Sequence, residues 1–600
     1  MRRNNNKGLA VSKKNFRFFA LFSLAKIAAR DTFSPRSIAV CMGFAILQFV
    51  SNPPVGWWPL CFIAYGLLLL FLRTKPLFSV FCISLFAGVL TYSLLFSWLH
   101  VLSRFNAAIY LGIPALGLFQ GFFLAVSCMG FEYFRRRIRG IFGFCVGCSW
   151  VLLVEWCRAN GPLGAPYAQL GHPLIEAFGL RQWAAVGGVM LLSASVLAFN
   201  VGISELIRRR LEKHLEPKQE KLILLGLGLP VLLAWGLGGY WESLIGNRET
   251  TPVRVAILQS NISQDKKFAS YASEDAIERE RLQRELIETV FMQLEKLEES
   301  GMESDLILTP ESGFTVDDFD RNAEVVFRLQ MSADELQAPI VVGATDLAFR
   351  REDGSLTDNL EEARILTSPS GVRYYDYEVG NALFLFKPGG KPELPLAADY
   401  LKIHLMPFGE TVPFFHIIPG FVENLVQVGM MLPGDDKQKA LAISLQKSPI
   451  EELKLGATIC FEDMFPGLYR KYNQERAHLF INATNNAWFD PSWGSEYHFA
   501  YSRFRSIEYQ TPAIRCTNTG ISALVLPTGE VAERLPTLQE LVRVVEVPVP
   551  VNPIVTIYGR LGEWVLWLCL GIFVAGTIIT FQSRSKSTPD AKRHATPSSN

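Results

Sequence analysis

Histidine is scarce in this chain, and so is cysteine outside its apolar stretches. Of 600 residues only 8 are His, and of 10 Cys only Cys460 and Cys516 lie between residues 251 and 550, too few for a disulfide framework. His404 and His498 have no ligand spacing with another His, Cys or acid, so ordinary hydrogen bonding is expected of both and no metal site is. A Walker sequence is missing, as is a Gly-rich dinucleotide turn after a strand, which leaves no place for a nucleotide cofactor. Internal repeats are absent, and low complexity is confined to the polar tail after Ser583. Net charge is nearly absent too, at +1.

That balance conceals two opposite objects. Residues 251–550 hold 28 Lys/Arg against 45 Asp/Glu, a net charge of −17, while the remainder carries +18. The acidic part would repel a nucleic-acid backbone. What the chain has in excess is apolar: 49% hydrophobic residues and a mean hydropathy of +0.20 exclude a purely soluble or disordered protein.

Apolar runs lie at about 38–50, 57–72, 77–99, 107–129, 141–154, 183–203 and 222–241, with an eighth at 561–581. Several approach the roughly 20 residues a bilayer helix requires. The first, second and fifth are short, so the first two, joined by Asn52-Pro53-Pro54-Val55-Gly56, form either two spans or a re-entrant hairpin. Cys145 and Cys148 share a C-x-x-C spacing inside an apolar helix, where packing in lipid is the expected role.

With the N-terminus in the cytoplasm, 25 Lys/Arg outside the acidic part face inward and only Arg104, Arg158, Arg181, Arg248 and Arg560 face outward. This places the acidic part on the non-cytoplasmic side. The expected organisation is a basic cytoplasmic tail (1–36), a seven-helix membrane bundle (37–245), an outer α/β domain (246–552), a C-terminal transmembrane helix (553–583) and a cytoplasmic tail (584–600). In the outer domain, strands are expected at 253–259, 305–309, 340–343, 455–459, 479–482, 513–516 and 522–526, with helices at 274–299 and 499–509.

Three reactive side chains follow strand patterns: Glu311, Lys402 and Cys460. Open α/β sheets collect their chemistry at such ends. A thiol becomes a nucleophile beside a base and a cation, so Cys460 would attack, Glu311 would move the proton and Lys402 would stabilise an oxyanion. Spacing alone supports this trio weakly.

The surrounding motifs are more specific. They include Ile257-Leu258-Gln259-Ser260-Asn261-Ile262, Thr309-Pro310-Glu311-Ser312, Pro407-Phe408-Gly409-Glu410, Ile459-Cys460-Phe461-Glu462, Asn485-Asn486-Ala487-Trp488-Phe489 and Arg515-Cys516-Thr517-Asn518-Thr519-Gly520. Pro54-Val55-Gly56-Trp57-Trp58-Pro59 and the stretch from Trp150 through Glu155 and Arg158 to Tyr167 add to them. On these motifs the chain resembles the apolipoprotein N-acyltransferases, whose outer domain is of the nitrilase, or carbon–nitrogen hydrolase, superfamily.

The resemblance implies a polytopic helical bundle plus a nitrilase-like αββα four-layer sandwich, in a bacterial inner membrane with the catalytic domain periplasmic. It puts the family's Glu-Lys-Cys triad on Glu311, Lys402 and Cys460, with supporting acids Glu410 and Glu462. The implied reaction moves an acyl chain from a phospholipid to the N-terminal amine of a diacylglyceryl apolipoprotein, through a Cys thioester and with no cofactor. Rival readings are a membrane-tethered amidase and a non-catalytic lipoprotein-binding module. Phe268, Thr309, Phe461 and Asp490 depart from the family pattern and put substrate positioning in question. Apolar loops at 408–419 and 421–432 are expected either to shield the site from water or to pack within the domain.

Overall fold

A bilayer offers no hydrogen bonds to the main chain, so the apolar runs can only become helices. The computed structural model describes residues 26–161, 164–214, 216–272, 275–314, 319, 322–357, 359–367, 373–411, 431–445 and 449–586. Helix α1 (Lys26–Thr32) turns through 58° into α2 (Pro35–Ser51). Then come α3 (Cys61–Leu72), α4 (Leu77–Leu95), α5 (Ile109–Arg137), α6 (Ile141–Asn160), α7 (Ala184–Leu211) and α8 (Pro217–Gly246). Among the described residues six helices are long and apolar enough to cross a membrane: α4 to α8 and a C-terminal helix from Trp564. The fifth run is longer than its apolar pattern, because α6 continues through Trp156 to 20 residues. The first two remain short, at 17 and 12 residues.

Small residues bring these helices close. A Cβ on Gly88 would lie 2.5 Å from the Gly121 Cα, so α4 and α5 meet backbone to backbone. Helix α7 is interrupted at Gly187 and Gly188, the latter at a φ of +66°. Basic residues gather at the end of the bundle where α4 begins: Arg73 pairs with Glu205, and Arg136 donates to the Arg73 and Lys75 carbonyls.

The α/β domain begins with β1 (Thr250–Gln259) and the helices α9 (Gln264–Ala272) and α10 (Ala276–Glu299). It continues through β2 (Leu306–Leu308), α11 (Ala323–Leu336), β3 (Ile340–Arg350), β4 (Leu356–Thr357), the hairpin β5 (Ile365–Thr367) and β6 (Arg373–Tyr375), β7 (Tyr377–Phe386), β8 (Tyr400–Leu401) and β9 (Met431–Leu432). The second half has β10 (Leu441–Ser444), β11 (Glu452–Ile459), α12 (Pro466–Gln474), β12 (Leu479–Thr484), α13 (Gly494–Tyr509), β13 (Ala513–Thr517), β14 (Ala523–Val525), β15 (Val531–Arg534) and β16 (Leu541–Pro550). Helices α14 (Ile557–Leu561) and α15 (Trp564–Lys586) close the described chain.

One sheet has the order β16-β1-β2-β3-β7-β8, with β4 beside β3 and β9 beside β7; the other runs β10-β11-β12-β13-β14-β15. Alternation assigns the layers. Val253, Val255 and Ile257 of β1 face Leu455, Ala457, Ile481 and Ile514 of the second sheet. Ala256 and Leu258 face outward onto Val290, Leu294 and Leu297 of α10. Tyr469 and Tyr472 of α12 and Tyr509 of α13 cover Phe480 on the opposite side. The result is the α-β-β-α sandwich implied by the resemblance.

Several elements differ from the sequence reading; among them, helix α11 and strand β7 were not expected. Strand β3 runs 11 residues, well past Gly343, because β7 pairs along its whole length. Strand β16 was not foreseen; it pairs antiparallel with β1 from Thr250↔Pro550 to Gln259↔Leu541.

The sandwich rests on the bundle through aromatic packing. Phe96, Trp98 and Tyr167 bury themselves with Phe461, Met464, Tyr497 and Tyr501. Arg104 donates to the carbonyls of Ala487 at 2.6 Å and Asp490 at 3.0 Å, and Tyr501 donates to Asn52 in the Asn-Pro-Pro turn. At the break in α7, the freed Val189 N–H donates to the Glu508 carboxylate at 3.3 Å.

Candidate functional site

Strands β2, β8 and β11 end at one place, and Glu311, Lys402 and Cys460 are the residues that follow or flank those ends. Cys460 adopts a left-handed φ of +51°, as does Ser312 at +50°. Left-handed backbone at a side-chain-bearing residue costs free energy, and such strain concentrates where a side chain must be aimed. Cys460 is 9% exposed and Lys402 1%, so the pair is nearly sealed from water in this state.

Glu311 is surrounded by donors. Its Oε1 accepts from Lys402 Nζ at 3.1 Å and Asn381 Nδ2 at 2.7 Å, and its Oε2 accepts from the Asn485 N–H at 2.7 Å. The Cys460 thiol is near enough to feel its charge. Lys402 also donates to Glu410 Oε1 at 2.7 Å, and Glu410 accepts from Asn381 at 3.1 Å and the Met406 N–H at 2.8 Å. Lys402 thus lies between two carboxylates that share one asparagine.

Glu462 does different work. Its Oε1 accepts from the N–H groups of Ile403 at 2.6 Å and His404 at 3.0 Å; its Oε2 accepts from Tyr400 Oη at 2.7 Å and the Ile459 N–H at 2.7 Å. It clamps the segment after Lys402 to the residue before Cys460. Asn482 completes the frame by donating to the Cys460 carbonyl at 3.2 Å.

Charge follows from this packing. Burial raises the Glu311 carboxyl, but the Lys402 charge and the hydrogen bonds from Lys402 and Asn381 outweigh it and hold the group below its ordinary value. For Lys402 burial works the other way and is outweighed by Glu311 and Glu410, so the ammonium stays charged well above its usual range. Burial and then the Glu311 charge push the Cys460 thiol far up, which favours the thiol form beside the Glu311 carboxylate. Burial lifts Glu462 to about 7 despite its donors.

Other residues singled out in the sequence fall into place by contact. His498 bonds Asp463 at 2.6 Å, Arg515 bridges to both, and His404 stacks on Phe465 with centroids 4.4 Å apart. Cys516 is a buried strand residue. Arg158 sits in the last turn of α6, 3% exposed, donating to Gln120 and to the carbonyls of Tyr167 and Ala168. Trp488, Phe489 and Trp493 pack on Phe105 and Trp98 of the bundle.

The four departures are also explained locally. Phe268 lies between Phe105 and Trp488, each 5.3 Å away by centroid. Thr309 accepts from the Gly343 N–H at 3.0 Å, Phe461 lies against Tyr167, and Asp490 accepts from Thr519 and Ser495. Residues 412–430, which hold most of the two apolar loops, lie outside the described residues.

Asn381, Asn485 and Lys267 were missed. An Asn amid the apolar run Ala382-Leu383-Phe384 was a readable signal for the first, and Asn485 acts here through its main chain, which no side-chain motif reports.

Comparison with known proteins places both halves. The family model described as Carbon-nitrogen hydrolase matches residues 254–551, and that described as Apolipoprotein N-acyltransferase N-terminal domain matches residues 44–202. The apolipoprotein N-acyltransferase of Geobacter metallireducens is 28% identical over 92% of this chain and 97% of its own length. That of Gloeobacter violaceus is 27% identical over 90% and 94%. Among solved structures, a Saccharomyces cerevisiae member of branch 10 of the nitrilase superfamily is 15% identical, covering 57% of this chain and 96% of its own, with a TM-score of 0.31.

Proposed function

The chain belongs to the apolipoprotein N-acyltransferase family, and from that premise we propose that it moves an acyl chain from a membrane phospholipid to the N-terminal α-amine of an S-diacylglyceryl-cysteine lipoprotein. It is a multi-pass membrane enzyme. The reading further puts it in the inner membrane with the α/β domain, about residues 246–552, on the periplasmic side. The excess of Lys and Arg in the loops opposite that domain supports this orientation.

In the proposed mechanism Cys460 Sγ attacks the donor ester carbonyl while its proton passes to Glu311. Lys402 stabilises the tetrahedral oxyanion. Collapse breaks the ester C–O bond, and Glu311 returns the proton to the departing lysophospholipid oxygen, leaving a thioester on Cys460. The acceptor amine then attacks; Glu311 takes its proton and returns it to the sulfur as the amide forms. Ester, thioester and amide follow one another downhill overall, so the cycle needs no nucleotide. Glu410 steadies Lys402, and Glu462 fixes the segment that carries it.

The observation that carries this reading is the buried Glu311–Lys402 ion pair at 3.1 Å beside Cys460, whose neighbour Phe461 packs on the bundle. A thiol held against the membrane half suits two substrates that never leave the bilayer. The test is purified protein given a phospholipid with a labelled acyl chain and a synthetic diacylated lipopeptide. Labelled lipopeptide is expected, with a thioester on Cys460 when acceptor is withheld. Free fatty acid as the sole product would favour an amidase-like hydrolase, and no thioester at all would favour a binding module.

A further inference from the structure

Lys267 is a buried ammonium that the mechanism above leaves unused. It sits on α9, 3% exposed, and its Nζ donates to the Ser312 carbonyl at 2.7 Å. Among the described residues no carboxylate makes an ion pair with it, although Glu311 acts on it through space. An amine buried without a paired acid costs free energy, which here shows as a drop to about 8, caused by burial and resisted by Glu311. A neutral side chain of similar shape would fill the same space without that cost.

The carbonyl it holds is one peptide unit beyond Glu311, at the residue whose φ is +50°. A second link from α9 reaches the same carboxylate: Gln264 accepts from Asn485 Nδ2 at 3.2 Å, and the Asn485 N–H donates to Glu311. Helix α9 is itself fastened to the membrane half through Phe268 and Phe105. The charged and titratable groups facing Glu311 are Lys402 and Glu410 after β8, Cys460 after β11, Lys267 on α9 and, further off, His498 on α13.

We infer that Lys267 is a positioning residue for Glu311: its hydrogen bond fixes the strained turn carrying the carboxylate, and its charge keeps that carboxylate ionised before each proton transfer. The inference rests on the acyl-transfer reading and deepens it, since it gives the general base a second cation besides Lys402.

The test is thioester formation on Cys460 from a labelled phospholipid, without acceptor, in the purified full-length protein between pH 4.5 and 9. Lys267→Met is expected to slow the step about tenfold and to move its acid limb upward by about one pH unit, the lower bound for losing a nearby opposite charge. Lys267→Gln keeps a donor for Ser312 but no charge, so it should show the shifted limb while recovering the rate at pH 8. Lys267→Arg should restore the limb. Thermal unfolding of each variant separates folding from chemistry. An unshifted limb in both neutral variants, or losses that merely track unfolded protein, would overturn the assignment. No thioester on the parent protein would instead strike the acyl-transfer reading on which this rests.

Discussion

The ring of Phe461 stacks on that of Tyr167, with centroids 6.3 Å apart and planes 27° from parallel. Phe461 follows Cys460 directly, and Tyr167 belongs to the membrane half, where Arg158 holds its carbonyl at 3.0 Å. Tyr167 also stacks on Tyr497, at 5.4 Å and 8°. The Cys460 side chain is thereby positioned partly by residues outside its own domain.

Truncating that contact should slow the first half-reaction without unfolding the sandwich. Tyr167→Ala is expected to reduce thioester formation by about tenfold, the upper range for an aromatic pair beyond simple burial. Tyr167→Phe should retain nearly full rate, because the ring makes the contact. Single-turnover acylation with a fluorescent phospholipid gives the answer, and equal rates in Ala and Phe variants would remove Tyr167 from the account.

Glu311 and Lys402 should fail in different ways. Glu311→Gln removes the proposed proton acceptor and is expected to cost about 10² to 10⁴ in acylation rate. Lys402→Met leaves Glu311 and Glu410 buried together without their shared cation, a loss of roughly 3–5 kcal/mol in stability. Denaturant titration in detergent, beside Cys460→Ala as a silent reference, distinguishes the two.

Alkylation of Cys460 tests the charge arrangement directly. With its thiol pushed far up by burial and by Glu311, Cys460 should react slowly with iodoacetamide at pH 7 and still gain about tenfold per pH unit through pH 9. Replacing Glu311 by Gln removes the opposing charge, so alkylation at pH 8 should speed up while catalysis collapses. Slower alkylation in that variant would mean that Glu311 already holds the sulfur as a thiolate.

The Glu462 clamp carries a stability signature. The folded protein keeps its proton to about pH 7, whereas an unfolded chain releases it near 4.5. Between those values the folded state binds more protons, so stability should decline as pH rises through that window and level off above it. Glu462→Gln should flatten that decline. It should also lower stability by about 1–3 kcal/mol at every pH, because its amide nitrogen cannot accept from the Ile459 N–H. Thermal melts at pH 5 and pH 8 compare both effects.

Much of this architecture was legible in the residues. Short β-branched and apolar runs located β1, β11, β12 and β13, and apolar length located α4 to α8. The Glu311, Lys402 and Cys460 trio stood out only with its flanking words, since spacing contains no information about which strand ends meet. Strand β16 alternates Val545, Val547 and Val549 with Glu546 and Pro548, but nothing local names its partner β1, which lies almost 300 residues earlier. Lys267 was hidden for another reason: within Gln264-Asp265-Lys266-Lys267 it looks like any solvated charge, and only the fold reveals that Lys266 points to Glu285 at the surface while its neighbour is buried.

The aromatic seam between sandwich and bundle has a practical consequence for anyone wishing to work with the reactive half by itself. Cut loose, a fragment of residues 246–552 would present Phe461, Met464, Tyr497, Tyr501, Phe489 and Trp493 to water on one side. Each such ring buries on the order of 150–250 Å² in place, and a contiguous apolar face larger than a few hundred Å² drives association. A soluble excised enzyme is therefore not to be had by truncation; it would require redesigning that surface, and the redesign would alter the packing beside the thiol.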